Sequence, residues 1–421
     1  MRRSNRIRKS RFGLRAAAVV AVAVLATSAC SSSGNKGSAG GTPTFTGTLK
    51  IGMIIWNSPA IVLNVPYPGI KAAIRAINAK GGVNSQQLVF DNCEAADPNS
   101  LDACARKMVS DGVVATVRDA TIIDDPSIEK ILSDAGIPEI DPFLFAPASY
   151  ANPNAFLLSG GAPTQFAVVP SYMKLVGLKT YHFIYGISPA ANANMDIVRN
   201  AAKVSGVTEK GTATGVALTA ADYSPAVADT AAAGADITIS VESPFATNLI
   251  LKADQQLGKN LRFGLDNQFT NAQAQQLGQP GGPLDKALLV DAVPPDTDTK
   301  DFPALNTYHQ EVQAELQSGD AAADISQMQP LALLGWLDVH VLANVLKGIK
   351  GTVTAAAVKQ AFESAKNLDT LGLTPPWTPS AAGPASYPRI SNPWMWLFTV
   401  KNGTFVMQQT KPVNILKAMG G

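Results

Sequence analysis

Histidine is scarce in this chain of 421 residues, and the short motifs of several enzyme classes are missing. The three histidines, His182, His309 and His340, are widely separated, and each lies in or beside an apolar pattern, where a packed or surface histidine is commoner than a catalytic one. The sequence has no P-loop, no G-x-G-x-x-G, no G-x-S-x-G and no H-E-x-x-H. Nothing therefore indicates an enzyme, and no cofactor is predicted.

Long apolar runs are also missing after the first thirty residues. A membrane-spanning helix is therefore expected only at the N-terminus, if anywhere. The 46% apolar content, with 34 Gly and 28 Pro, is typical of a globular protein with many turns. The length exceeds that of one ordinary core, so two domains are expected.

The N-terminus has the pattern of a signal peptide. Residues 1–15 carry seven basic residues and no acid, and a short apolar run from Ala16 to Leu25 follows. Small residues then lead to Cys30, as in bacterial lipoprotein signals, although Thr27 stands where such signals usually have an aliphatic residue. The sequence predicts a signal peptide over residues 1–29 and a lipid on Cys30. Ordinary secretory cleavage after Ala29 remains the alternative.

Export changes the charge and the surroundings of the chain. Loss of the leader leaves 27 Lys and Arg against 32 Asp and Glu, a net charge of −5. No basic field remains that would favour a nucleic acid partner. Residues 30–47, rich in Ser, Gly and Thr, are expected to form a flexible tether to the outer face of the cytoplasmic membrane.

The folded part opens with a strand, a helix, a second strand and a second helix. Leu49 to Ile55 is a short apolar run typical of a buried strand. An apolar stripe from Ile70 to Ile77 then repeats at helical spacing and ends at Gly81-Gly82. Gln87 to Asp91 is predicted as the next strand, and Ser100 or Asp102 as the residue that opens the next helix.

The same alternation continues for most of the chain, which favours parallel sheets with helices on both faces. Further predicted strands are 113–117, 138–140, 156–158, 181–185, 237–241, 262–265 and 287–293. Predicted helices are 126–135, 166–176, 192–204, 223–233, 246–257, 328–346 and 355–365. A hairpin is predicted over 395–407, around Lys401-Asn402-Gly403.

The segment from Gly69 to Asn84, GIKAAIRAINAKGGVN, with the strand-end Asp91 and the cysteines Cys93 and Cys104, resembles the type I periplasmic solute-binding proteins. The similarity is strongest to the branched-chain amino acid (Leu/Ile/Val-binding) receptors of ABC importers. The resemblance implies an α/β fold of two doubly wound, Rossmann-like lobes joined by a hinge that the chain crosses three times. The implied parts are residues 48–160 and 293–368 for lobe 1, and residues 161–292 and 369–421 for lobe 2.

The cysteines that remain after Cys30 are expected to pair. Cys93 and Cys104 stand in an exported chain, where a disulfide is favoured, and the resembled family has a cysteine pair at this place. A metal site or a redox pair is the alternative, but the spacing is not C-x-x-C and no histidine lies nearby in the sequence. A structural disulfide is therefore predicted, and no metal site.

The resemblance places the ligand in a cleft between the lobes, against the loops that follow the strands. Thr121 would hold a ligand carboxylate, and Asp266 would take an ammonium group. Phe143 and Phe145 stand where small residues are expected, so they would narrow the cleft or offer a stacking face, unless they turn into the core. The predicted ligand contacts are Trp56, Asn57, Ser58, Arg118, Ala120, Thr121, Phe143, Phe145, Ser188, Ser243, Phe245 and Asp266.

The function that the resemblance implies is ligand capture for an ABC importer. The expected ligand is small, amino-acid-like or partly apolar or aromatic, with Asp266 or Arg118 pairing a charged group. The expected partners of the protein are the permease subunits in the membrane. A ligand sensor that signals to a membrane receptor is the second hypothesis, and a surface-anchored hydrolase, for which no activated nucleophile is found, is the third.

Overall fold

The computed structural model describes residues 43–58, 61–121, 125–144, 147–217 and 220–420. The predicted signal peptide, Cys30 and most of the predicted tether lie outside the described residues. From Pro43 to Gly421 the chain forms one compact unit. The predicted α/β fold with parallel sheets is confirmed, because two largely parallel sheets alternate with helices along this unit.

The first sheet is built from the N-terminal part of the unit. Its strands are β1 (Gly47–Ser58), β2 (Ile61–Val62), β3 (Gln86–Ala95), β4 (Ala115–Val117), β5 (Glu139–Ile140) and β6 (Ala155–Phe156). The order is β2-β1-β4-β5-β6, with β3 also paired to β1. All pairs are parallel except the short β1–β2 pair. The predicted first strand is thus confirmed and is longer than predicted at both ends.

The second sheet follows in sequence. Its strands are β7 (Thr180–Gly186), β8 (Thr208–Glu209), β9 (Thr214–Val216), β10 (Ile237–Val241), β11 (Phe263–Asp266), β12 (Leu288–Asp291), β13 (Trp394–Lys401), β14 (Thr404–Met407) and β15 (Val413–Asn414). The order is β14-β13-β12-β11-β10-β7-β8, with β9 on β7 and β15 on β13. Strands β7 to β12 are parallel, and β13 and β14 form the predicted antiparallel hairpin.

Helices connect and cover these strands. They are α1 (Tyr67–Ala79), α2 (Pro98–Ser110), α3 (Asp125–Asp134), α4 (Gly161–Leu175), α5 (Pro189–Ser205), α6 (Ser224–Ala233), α7 (Pro244–Leu257), α8 (Asn271–Leu277), α9 (Ala304–Gln317), α10 (Pro330–Gly348) and α11 (Ala355–Ser364). Short 3₁₀ turns lie at Pro147–Ala151, Ala321–Ala323 and Leu416–Met419. Helices α8 and α9 were not predicted; the others lie where helical spacing indicated them.

Helix α1 packs closely on α10, and Gly69 makes this approach possible. A Cβ at this glycine would lie 1.8 Å from the carbonyl oxygen of Ala332 on α10, so a larger residue would push the helices apart. Helix α10 is long and apolar enough to span a membrane by length and composition alone. Its residues from Ala332 to Leu346 are mostly buried against the protein, as in the core helix of a globular fold.

The start of α2 corrects the prediction. Neither Ser100 nor Asp102 caps the helix; Asp97 does, and its Oδ1 accepts the Ser100 backbone N–H at 3.0 Å. The predicted disulfide is confirmed, because Cys93 on β3 is bonded to Cys104 on α2, with the Cα atoms 5.5 Å apart. By the chain-entropy model, closing a loop this short contributes about 3 kcal/mol.

Helix α9 was not predicted from the sequence because glutamates occupy its buried face. Glu311 is 7% exposed and accepts hydrogen bonds from Trp336 Nε1 at 2.7 Å and from His340 Nε2 at 2.8 Å, both on α10. One turn later Glu315 accepts a hydrogen bond from Arg75 Nε on α1. Because these carboxylates are paired inside the α1–α9–α10 packing, they replace the apolar residues that a periodicity search requires.

A proline-rich segment after α11 runs along β6, the outer strand of the first sheet. Arg389 donates from its backbone N–H to the carbonyl oxygen of Tyr150 and from Nε to that of Ala155, at 3.1 and 2.7 Å. Asn392 donates from its side-chain Nδ2 to the carbonyl oxygen of Leu158. The segment thus covers a strand edge whose backbone groups would otherwise be open to pairing with another chain.

Candidate functional site

The carboxyl ends of parallel strands collect polar residues at one edge of each sheet, where α/β proteins bind their ligands. In the first sheet these segments are 56–58, the last residues of β1, and 118–121 and 141–144, which follow β4 and β5. In the second sheet they are 187–188, 242–245 and 266–268, at β7, β10 and β11. The described site is built from these six segments.

A cavity joins the second sheet to helices that pack on the first. Asn267 and Asp296 line it from the loops after β11 and β12. Tyr308 lines it from α9, Met328 from the segment before α10, and Leu333 from α10. Its internal volume is about 10 Å³, about what one buried water needs. In this conformation the space does not admit a metabolite, so a ligand can enter only if the walls move apart.

The first sheet contributes a buried ion pair at its carboxyl edge. Arg118 is 2% exposed and donates from Nη1 to Asp141 Oδ2; it also lies 3.3 Å from Ser159 Oγ. Asp141 Oδ1 accepts from both the backbone N–H and the hydroxyl of Ser159, at 2.8 and 2.9 Å. The charge of Arg118, a predicted ligand contact, is therefore already paired within the protein.

Backbone strain accompanies this pair. Arg118 has φ of 55° and Asp141 has φ of 50°, the left-handed region that residues with a side chain rarely adopt. Such conformations cost about 1–3 kcal/mol each and persist where the surroundings hold them. Two strained residues at neighbouring strand ends mark this edge as a place where side-chain position is constrained.

Helix α10 places a further carboxylate beside Arg118. Asp338 is fully buried, its Oδ2 lies 3.7 Å from Arg118 Nε, and neither of its oxygens has a hydrogen-bond donor among the described residues. Burial, with the charge of Asp141 nearby, raises the pKa of Asp338 well above its usual value, and the charge of Arg118 opposes the shift only in part. Burial therefore favours the neutral form of Asp338 over the carboxylate.

The second sheet contributes three acids at neighbouring strand ends. Burial raises the pKa of Asp266 to about 6 and, together with the charge of Asp266, that of Asp291 to about 7. Glu242 follows β10, and burial raises its pKa to about 7 although the Ser243 backbone N–H opposes the shift. Its Oε1 is buried without a hydrogen-bond partner among the described residues.

Two of the predicted contact residues in the second sheet cap helices. Ser188 Oγ accepts the Ala191 backbone N–H at the start of α5, and Ser243 Oγ accepts that of Ala246 at the start of α7, both at 3.2 Å. Phe245 lies on the first turn of α7 and is 67% exposed. Both hydroxyls thus stabilise the helices that frame the edge.

In the first sheet, several predicted contacts are already engaged with the protein. Asn57 donates from Nδ2 to Glu94, and Trp56 is partly buried against a satellite core. Ala120 and Thr121 are buried. Phe143 is partly buried and packs on the main core, the second of the two arrangements that the sequence left open. Phe145 and the side chain of Ser58 lie outside the described residues.

Four acids at the site were not among the predicted contacts: Asp141 and Glu242, which directly follow predicted strands, and Asp291 and Asp338. Asp291 ends a strand that reads as an uninterrupted apolar run, and Asp338 interrupts the apolar face of α10. A single acid inside an apolar stretch was the available signal for both. Within the described residues, no group of three or more metal-ligating side chains is found.

Comparison with known proteins identifies the family. The model of the family described as "Periplasmic binding protein" matches residues 50–404. The chain belongs to this family. Since the family consists of binding proteins, the interpretation of this periplasmic binding protein as a binder rather than an enzyme is confirmed, and an extracytoplasmic location follows.

Solved structures share the fold at low sequence identity. A substrate-binding periplasmic protein from Ralstonia solanacearum superposes with a TM-score of 0.71 at 15% identity, over 86% of this chain and 100% of that one. A fatty acid ABC transporter substrate-binding protein from Thermomonospora curvata gives 0.67 at 13% identity, covering 89% and 95%. A solute-binding protein of an ABC transporter from R. palustris, in complex with benzoate, gives 0.66 at 15% identity, covering 87% and 97%. No curated protein matches by sequence.

Proposed function

We propose that this periplasmic binding protein captures a small, amino-acid-like or partly apolar or aromatic metabolite and delivers it to the permease of an ABC importer. The observation that carries the proposal is the nearly closed cavity, which is lined by the carboxyl-end loops of the second sheet and by helices packed on the first. Asn267 and Asp296 bring polar groups to its partly apolar lining, as is common at binding sites. Relatives in fold that bind fatty acid and benzoate show that this architecture serves small molecules.

Capture would proceed by closure of two lobes. A ligand that contacts both lobes only when they are closed shifts the population toward the closed form. In this proposal residues 48–160 and 293–392 form lobe 1, and residues 161–292 and 393–421 form lobe 2. The third crossing is thus moved from near residue 368, where the resemblance implies it, to a later point in the chain. Gly160 and Gly161, both at positive φ, suit the first crossing. Because Arg389 bonds to Ala155 on β6 and Asn392 bonds to Leu158 just after it, the third crossing fits best just after Asn392.

The lipid on Cys30 and the tether complete the proposal. An anchored binding protein stays near its permease, so a short flexible tether raises its effective concentration there. Trp56 and Phe245, predicted contacts at strand ends of the first and second sheet, would meet the ligand in the open form. Asp266 would take an ammonium group.

The test is thermal unfolding of residues 31–421 against amino acids, amides, amines, short-chain acids and aromatic acids. A ligand present at a hundred times its dissociation constant adds about 2.7 kcal/mol to the free energy of unfolding, which raises the melting temperature by several degrees. The proposal predicts such a rise with one chemical class. If no class raises it, capture of a small metabolite is contradicted.

A further inference from the structure

Acidic residues outnumber basic residues at the carboxyl edges of the two sheets. The strand-end segments described above, with the last residue of β12, carry the acids Asp119, Asp141, Glu242, Asp266 and Asp291. Against them, these segments provide one cation, Arg118, which is paired with Asp141. The field at the site therefore favours a positive ligand and opposes a carboxylate.

Most of these acids already accept hydrogen bonds from the protein itself. Asp119 Oδ1 accepts the Ile54 backbone N–H at 2.7 Å, and its other oxygen accepts from Thr116. Asp291 Oδ1 accepts the Ala292 backbone N–H at 2.7 Å. Asp266 accepts a long bond of 3.4 Å from Gln268. Glu242 is the acid with a buried oxygen that meets no donor among the described residues.

The strand register places Glu242 among its neighbours. The β10–β11 pairing aligns Ile239 with Gly264, so two residues later Val241 lies beside Asp266, one strand spacing of about 4.8 Å away. The acids Glu242 and Asp266 therefore lie on adjacent strand ends. Side-chain oxygens of Asn267 and Gln268, the two residues after Asp266, are buried and likewise meet no donor among the described residues.

Exposed apolar side chains lie close to the end of β10, where Glu242 stands. The β7–β10 pairing aligns Val241 with Tyr185, which puts Ile187 beside Ser243. Ile187 is 58% exposed, and Phe245 on the next helix is 67% exposed. An apolar surface next to unpaired acceptors suits a ligand with an apolar body and a donor-rich, charged head.

We infer that the ligand is an amine or amidine of net positive charge with an apolar or aromatic body, and that Glu242 pairs its cationic group. This inference rests on the proposed capture function and narrows it to one ligand class. A buried carboxylate oxygen without a donor is costly, and a ligand N–H would satisfy it. The same cation would counter the burial that raises the pKa of Glu242.

The test is calorimetric titration of residues 31–421 at pH 8 with paired probes of equal length. Alkyl and arylalkyl amines, including phenethylamine, are compared with the matching carboxylates, including 3-phenylpropionate, and with zwitterionic phenylalanine. The inference predicts binding of amines and not of the matching carboxylates. It also predicts that Glu242→Gln weakens amine binding about 10- to 100-fold, since a hydrogen bond to a charged group is lost.

Two controls separate binding from folding and from general charge. Glu363→Gln removes the same charge from an exposed position on α11 and is expected to leave affinity unchanged. Thermal unfolding of Glu242→Gln without probe should show no loss of stability, because the substitution removes a buried charge that lacks a partner.

The possible outcomes distinguish a failure of this inference from a failure of the proposed ligand capture. Tighter binding of a carboxylate or of phenylalanine than of the amine would overturn the inference and leave ligand capture standing. Amine binding that Glu242→Gln leaves intact would overturn the role of Glu242. If neither series binds, the ligand class is wrong, while capture is judged separately by the wider thermal screen.

Discussion

Replacing Arg118 by methionine should destabilise the protein strongly. The guanidinium is 2% exposed and neutralises Asp141, which is fully buried, with buried Asp338 3.7 Å away. Methionine fills a similar length but leaves these acids without their cation. Removal of one partner from a buried ion pair costs about 3–5 kcal/mol.

The assay is denaturant unfolding of residues 31–421 at pH 8, followed by circular dichroism. Lys130→Met is the matched control, since Lys130 pairs with Asp134 at the surface and such pairs contribute about 0–1 kcal/mol. Adding Asp141→Asn to the Arg118 variant should recover part of the loss, because it removes an unpaired buried charge. A loss for Arg118→Met no larger than that of the control would refute the structural role and return Arg118 to the set of free ligand contacts.

Three further predictions follow from the fold. Reducing the Cys93–Cys104 bond, or replacing both residues by serine, should lower the free energy of unfolding by about 3 kcal/mol in denaturant titrations; an unchanged midpoint would contradict it. Asp291 has its pKa raised to about 7, above an unfolded value of about 3.9, so the folded state binds the proton more tightly and this contribution to stability is lost as pH rises from about 4 through 7. Asp291→Asn should therefore stabilise at pH 8, by on the order of 2–4 kcal/mol, and have little effect at pH 4; the opposite pH trend in thermal unfolding would refute the argument. Glu311→Ala leaves the buried Trp336 indole N–H without its acceptor and should cost about 1–3 kcal/mol, which equilibrium unfolding measures; a change under about 0.5 kcal/mol would contradict it.

The elements that could be predicted from the sequence are those whose burial shows as a pattern along the chain. Strand β10 was predicted with its observed ends, because four of its five residues are apolar or β-branched and polar turns flank them. Helix α9 was missed because its buried Glu311 and Glu315 are compensated by residues of α1 and α10, a pairing that only the tertiary structure reveals. Strand β8, two residues long and polar, offers no pattern at all.

The candidate site shows the same division. The strand-end loops could be located from the sequence, since they follow recognisable apolar runs. The sequence could not show which side chains are already bonded within the protein. The partners of Arg118 lie just after β5, just after β6 and on α10, and all are distant in sequence. Ser188 and Ser243 carried the helix-cap pattern, but a cap and a ligand contact require the same residue type.

Closure around a ligand is best measured by small-angle X-ray scattering of residues 31–421, with and without the compound that stabilises the protein most in the thermal screen. The account predicts that the free protein samples forms more open than this structure and has the larger radius of gyration. Saturation with the compound should reduce that radius until the scattering curve matches the closed structure. An identical radius of gyration with and without a saturating compound would contradict capture by domain closure.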